Sequence, residues 1–455
     1  MKLVLSFAAP LLLGQLFQQL YSFVDTAIVG RFLGAEKLAA VGATGAVNFM
    51  VIGLCLGLCS GFAIPVSQAF GAKNEPEVRR YVWHASVLSA VLSVVFGLAA
   101  ALLCKPLLRL MNTPAEILDS SAGYIRIIFA AIPCCVLYNM AGGILRALGD
   151  SKTPVLFLML ASLINIALDL FLIIVCGMGV EGAAVATAFS QLVSGLGCLF
   201  VIIRKFPILR MQPGDRSFSV KRAQSMLGIG LPMGLQFSIT AIGSVIVQWA
   251  VNGLGVDAVA AVSAAMKLSM FFVCAFDALA STIATFTGQN IGAGKPERVR
   301  QGLRSASVLG IIYSIAALGV VLLFGKRMLG LFIDSGENAA VMDLAFRCLR
   351  INASFYIPLL FVNIVRMCIQ GMGFTRVAMF AGMCEMVART SVALLLVPSA
   401  GFIGACFANP AAWIMADAFL FPCYFRLIKS VRGKMIDGAE NWKEARGRQR
   451  LRSVA

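Results

Sequence analysis

Apolar runs of about 20 residues recur from one end of this chain to the other, separated by short stretches where charged residues, glycine and proline gather. Taken in order they predict twelve membrane-spanning helices, centred near residues 17, 55, 93, 134, 165, 193, 240, 272, 315, 361, 387 and 413. The first run starts at Leu3 and continues past Asp25 to Gly30 without a small-residue cleavage site, so it reads as a retained helix rather than a signal peptide. An even number of spans places both termini on one side.

The pattern repeats. "GLGVDAVAAVSA" from Gly253 echoes "RFLGAEKLAAVGA" from Arg31, and "GQNIGAGKPERVR" from Gly288 echoes "SQAFGAKNEPEVRR" from Ser67. Pro10 has its counterpart in Pro232, and "GVEGAA" at Gly179 returns as "GFIGAC" at Gly401, at an offset of about 222 residues. The chain divides into a six-helix bundle at 1–203, a basic linker at 204–225, a second bundle at 226–428 and a basic tail at 429–455. Six is even, so the halves cross the membrane in the same sense, related by an axis along its normal, and enclose a central cleft of the kind alternating access requires.

Composition agrees: 60% of 455 residues are hydrophobic, 13% are charged, and mean hydropathy is +0.89. A soluble globule could not cover such a core. The net charge of +17 would suggest nucleic acid in a soluble protein, but its placement speaks against that partner. Basic residues crowd the segments at 73–80, 204–222, 295–304 and 426–452, all on the side of the termini. The opposite side has Arg31, Lys37, Lys105, Arg109, Lys326, Arg327, Arg347 and Arg350. This asymmetry makes the termini cytoplasmic, with the tail against anionic lipid.

Several chemistries are excluded. The 13 cysteines show no zinc-like pairing and read as small apolar filler, and the single histidine, His84, beside Trp83 at a helix start, reads as an interfacial residue. "GMGVEG" at Gly177 is a turn between membrane helices rather than a dinucleotide loop, and "GAGKPE" at Gly292 lacks P-loop spacing. Without an ATP motif the energy must come from a gradient. No enzyme constellation and no cofactor are expected.

The polar residues inside the helices carry the remaining chemistry. Gln18, Ser22 and Asp25 share a face of the first helix, and Asn165 and Asp169 share a face of the fifth. Thr187 lies as far beyond the turn near Met178 as Asp169 lies before it, so the two meet in an antiparallel hairpin. At 1.5 Å per residue Asp169 sits about 13 Å, and Asp25 about 9 Å, below the outer loops. Asp25, Asn165, Asp169 and Thr187 therefore converge as either a proton site or an oxygen cage for a hard cation, with interhelical hydrogen bonding as the plainer alternative. The matching positions of the second half are Val247 (or Ile246) and Ser391, so the site is lopsided. Glu385 and Arg389, four apart, read as an internal ion pair. Lys267 and Asp277 have no assignable partner and, with Gln18 and Ser22, are candidates for lining the cleft. Pro10 removes a helical hydrogen bond and permits a bend.

"QLFQQLYSFVDTAIVGRFLGAEKLAAVG", "ILRALGDSKTP" and "INIALD" together resemble the multidrug and toxic compound extrusion (MATE) transporters, in particular their bacterial branch. The resemblance implies an all-α, V-shaped antiporter in which proton or sodium entry drives export of bulky lipophilic, often cationic, compounds. It implies Asp25, Asn165, Asp169 and Thr187 as the cation site, a possible sodium ion being the only metal, and Pro10 as the bend point. Some relatives carry coupling acids in the seventh and tenth helices; here the seventh has none and the tenth offers Asn363, Arg366 and Gln370. Membrane lipids are the other expected partners, and the protein is expected to act as a monomer. A flippase for lipid-linked saccharides is the alternative, disfavoured by a cleft that is not strongly basic.

Overall fold

The structure, a computed structural model, describes the backbone of residues 1–111, 113–332 and 339–452, with side chains except at Ala35 and from residue 434 onward. Ten long apolar helices are α1 (Lys2–Gly34), α2 (Glu36–Gly71), α3 (Glu75–Leu110), α5 (Lys152–Val175), α6 (Gly179–Lys205), α7 (Val220–Asn252), α8 (Val256–Gly292), α9 (Pro296–Leu329), α11 (Thr375–Cys406) and α12 (Ala408–Gly433). Two more spans are bent pairs: α4 (Ala115–Ala130 with Ile132–Ala147, 43°) and α10 (Tyr356–Gly371 after Ala339–Ser354, 50°). The sequence predicts both as single spans. Each break precedes a proline, Pro133 or Pro358, that cannot donate to the carbonyl four residues back. The helix of α12 runs on to Arg452, but most of the tail's side chains lie outside the described residues.

The membrane inverts the usual burial rule. Leu102, Leu323 and Leu395 are each more than 70% exposed, as lipid-facing side chains should be. Lipid tails are as apolar as leucine, so the helices are held by close packing and interior hydrogen bonds. Each half has its own apolar core. Phe62, Ile125, Phe129 and Ile132 are fully buried in the first, and Phe276, Ile283, Leu349 and Tyr356 in the second. The Phe276 ring packs edge-on against Tyr313 and Tyr356, at centroid distances of 5.4 and 5.7 Å.

The duplication is visible in small irregularities. Gly34 and Gly255 stand at corresponding turns with φ of 86° and 100°, which a side chain would resist. A wide π-helical turn follows Asp169 at Phe171–Val175, and another follows Ser391 at Val392–Leu396. Such turns recur at functional sites.

The bundles meet most closely in the half of the membrane that carries the termini. A Cβ on Gly57 of α2 would stand 2.5 Å from the Gly234 Cα of α7, and Gly61 and Gly230 approach closer still. Gln68 Nε2 donates to the Gly371 carbonyl across the interface (3.0 Å), and Gln289 Nε2 donates to that of Ala147 (2.9 Å). This end is sealed.

The linker is fastened to the first bundle rather than free. Arg79 Nε of α3 donates to Asp215 Oδ2 at 2.5 Å with both side chains buried, and Arg222 Nη2 meets Glu77 at 2.9 Å. The guanidinium of Arg79 and the Gln212 N–H beside Asp215 hold its carboxyl below the usual 3.8. His84 belongs to the same clasp, which corrects its interfacial assignment. It is fully buried, accepts the Ser219 N–H at Nε2 (2.9 Å), lies 2.7 Å from the Arg80 carbonyl at Nδ1, and stacks on Phe218 at 5.1 Å. The folded-back linker, invisible to helical periodicity, covers it.

Candidate functional site

Asp25 of α1 and Asp169 of α5 face each other within hydrogen-bonding range. The α5–α6 hairpin supplies the rest of the site, because its short turn sets α6 antiparallel and brings Thr187 level with Asp169. Asn165 lies between them. Its side-chain nitrogen donates to Asp169 Oδ2 (3.0 Å) and its oxygen accepts from the Thr187 backbone N–H (3.1 Å), the amide orientation that satisfies both ends. Asn165 and Asp169 are at most 1% exposed, and Asp25 is partly exposed. Among the described residues neither aspartate has a basic partner, and Oδ1 of each is buried without a hydrogen bond. Two facing carboxyls with orphaned oxygens call for a proton or a small cation between them.

Two tyrosines complete the wall. Tyr21, one turn before Asp25 on α1, stands beside the Thr187 side chain. Tyr124 of α4 stands near Asp25, Asp169 and Tyr21. The spacing of four between Tyr21 and Asp25 was available as a signal. Nothing in the local pattern of α4 points Tyr124 at two other helices.

A cavity of about 420 Å³ lies between the bundles on the side away from the termini, with Gln19, Ser22, Thr26 and Arg31 of α1 facing Lys267 and Phe271 of α8. Ser22 and Lys267 line this cavity; Gln18 and Asp277 are not among the residues that line it. The face of α1 turned to the second bundle runs Gln19, Ser22, Phe23, Thr26, one residue round from the stripe through Gln18. Asp277 lies about three turns along α8 from Lys267 and does not line this cavity. α1 keeps helical dihedrals through Pro10 as far as Gly34.

The second bundle places a self-contained charge network in its core. Glu385 of α11 pairs with Arg366 of α10 as well as with Arg389 (3.4 Å), and Arg389 Nε donates to Asn409 Oδ1 of α12 (3.3 Å). The sequence predicts only the Glu385–Arg389 contact. Arg366, from another helix, turns it into a three-residue network. Among the described residues no group of His, Cys, Asp and Glu is arranged to hold a metal.

The fold and its polar interior define a polytopic transporter made of two like bundles. The MatE family model matches the chain twice, at residues 10–171 and 232–395, and the chain belongs to this family of transporters. Probable multidrug resistance protein YoeA of Bacillus subtilis is 31% identical over 371 residues, 78% of each chain. A protein of Shewanella oneidensis named FAD transporter is 25% identical over 335 residues, covering 73% of this chain and 74% of its own. Among solved structures, a MATE family transporter in an outward-facing conformation has a TM-score of 0.89 at 23% identity, over 95% of this chain and 96% of its own. That likeness speaks to the fold.

Proposed function

We propose that the protein is a cation-coupled antiporter of the bacterial inner membrane that exports lipophilic small molecules, with proton or sodium exchanged at Asp25 and Asp169. The two facing carboxyls of these residues, each with a buried oxygen that no hydrogen bond reaches and neither with a basic partner among the described residues, are the observation that carries this reading. Asn165, Thr187, Tyr21 and Tyr124 hold the pair in place. Pro10 lets α1 bend when the site fills. Cation entry from outside favours the state that releases cargo, and it does work only because the two states bind the cation with different affinity. Both termini, the linker and the basic tail face the cytoplasm, by the bias of Lys and Arg.

The cargo has a second reading. Arg31 and Lys267 are the charged side chains lining the 420 Å³ cavity, and no acid joins them. This favours a cargo with an aromatic body and negative charge over a purely cationic one, and the relative named FAD transporter points the same way. Inverted vesicles under an imposed proton or sodium gradient test both readings, offered ethidium and FAD in parallel. Accumulation that needs one gradient and is lost in Asp25→Asn and Asp169→Asn supports the coupling site, and the compound accumulated identifies the cargo class. Gradient-independent equilibration would indicate a passive pore, and unaltered transport in both variants would refute the site. If neither compound moves, lipid-linked cargo becomes the reading to pursue.

A further inference from the structure

Arg146, near the end of α4, has no carboxylate and no hydrogen-bond acceptor for its guanidinium among the described residues. Around it stand a phenol and two thiols, Tyr138, Cys59 and Cys198, with Gly142 and Gly143 beneath. The acid nearest in sequence, Asp150, is held by Lys205 and Thr153. Arginine keeps its charge in proteins, and an uncompensated charge inside a membrane bundle is costly. The side chain is partly exposed and lines a cavity, and that space is where its counter-charge can bind.

The guanidinium lines a cavity of about 80 Å³ between the bundles, just inside the seal made by Gln68 and Gln289. Ser60 of α2 and Ser281 and Thr285 of α8 line it too. Two neighbouring hydroxyls each donate to a carbonyl one turn back, Ser67 to Ile64 and Thr282 to Ala278. Those of Ser60, Ser281 and Thr285 donate to nothing among the described residues. An unpartnered cation and three spare donors converge on one space, and a water needs about 10–15 Å³ of such volume, so the space admits a small anion with a few waters.

We propose that Arg146 and the hydroxyls of Ser60, Ser281 and Thr285 form a seat for one monovalent anion, held between the two bundles while the terminus side is sealed. The anion is either free in solution, as chloride, or the carboxylate of a cargo molecule. Arg146 and Ser60 belong to the first bundle, Ser281 and Thr285 to the second. A ligand shared across the interface stabilises the sealed state and loses half its donors when the bundles part. The inference depends on the surroundings of Arg146 alone and stands apart from the Asp25–Asp169 reading, because binding is measured without transport.

The test is equilibrium binding of radiolabelled chloride and, in chloride-free buffer, radiolabelled benzoate to the purified full-length protein, with gluconate holding ionic strength constant. Saturable binding near one per protein is expected, at least tenfold weaker in Arg146→Gln and severalfold weaker in Thr285→Val. Chloride binding assigns the seat to a free ion; benzoate binding without chloride binding assigns it to an acidic cargo group. If Arg146→Gln fails to fold, judged by gel filtration and thermal unfolding, Thr285→Val decides, since it removes a donor from the opposite bundle and leaves the arginine. No saturable binding of either anion to folded wild type, or binding indifferent to Thr285→Val, overturns the proposal.

Discussion

Replacing Gly57 by alanine puts the sealing of the terminus side to a quantitative test. The added methyl would stand 2.5 Å from the Gly234 Cα, 2.6 Å from its nitrogen and 2.6 Å from the Met233 carbonyl carbon. Carbon atoms in contact prefer about 3.5–4.0 Å, so α2 and α7 must separate by about 1 Å. All three neighbours are backbone, so no rotamer change relieves the clash. Overpacking of this kind costs about 1–3 kcal/mol. Here the cost falls on the sealed arrangement and not on one with the bundles parted, which shifts the balance between them by about 5- to 150-fold. The reporter is Ser67→Cys, since Ser67 is buried against Gly288 at the seal. Its modification by a membrane-impermeant maleimide added on the terminus side, followed by peptide mass spectrometry, measures how often the seal opens. Among the described cysteines Cys176 is the exposed one and lies on the far side, an internal control. Gly42→Ala, in the same helix but with nothing within 4 Å of its Cβ, should leave the rate unchanged. If Gly57→Ala labels no faster than Gly42→Ala while both remain folded, α2 and α7 are not in backbone contact in the resting protein, and the seal has been misplaced.

Asp25→Asn and Asp169→Asn should each lower gradient-driven export by about tenfold or more, equivalent to 1.4 kcal/mol or more in the rate-determining barrier, and Thr187→Val by less; initial rates in vesicles decide. Asp215→Asn should lower the melting temperature at neutral pH. Its carboxyl is held below 3.8 in the folded protein, so its stabilisation is fully present above that value and fades as pH falls through the lower folded value. The melting difference between wild type and variant should therefore shrink in acid, and a difference that grows instead would contradict the ion pair with Arg79.

Much of the convergence of Asp25, Asn165, Asp169 and Thr187 was legible because these residues lie along single helices and one hairpin. Spacings of three and four align residues on a helix, and equal distances from the turn near Met178 align Asp169 with Thr187. Those rules are local. Tyr124 escapes them because its approach to Asp25 depends on how α4 bends around Ala131 and packs across α1. Arg366 joins Glu385 from another helix, and His84 is buried only because the linker folds back by more than a hundred residues. The shift from Gln18 to Gln19 shows the limit from another side: periodicity fixes which residues share a face, but the rotation of that face toward a neighbour is decided by packing.

The two halves began as copies and now treat charge in opposite ways, and this asymmetry makes the last prediction. In the second bundle Val387 and Ser391 occupy the places of Asn165 and Asp169, and the charges have moved to Glu385, held between Arg366 and Arg389. There each acid–base contact is internal, so the network needs no ion from outside and has nothing to exchange. In the first bundle the two acids face each other without a base among the described residues, and the proposed exchange gives them a proton or cation that comes and goes. Glu385→Gln should therefore act as a stability lesion, leaving Arg389 without an acid and Arg366 with only the neighbouring Asp417, at a cost of about 3–5 kcal/mol, read as a lower melting temperature. Its residual transport, normalised to folded protein, should keep the wild-type choice of ion and the wild-type dependence on gradient size. Asp169→Asn should reverse the pattern, with little change in melting temperature and lost dependence on the gradient. If Glu385→Gln instead altered the ion or the stoichiometry of exchange while melting like wild type, the second bundle would be a coupling element and the division of labour drawn from the two sites would fail.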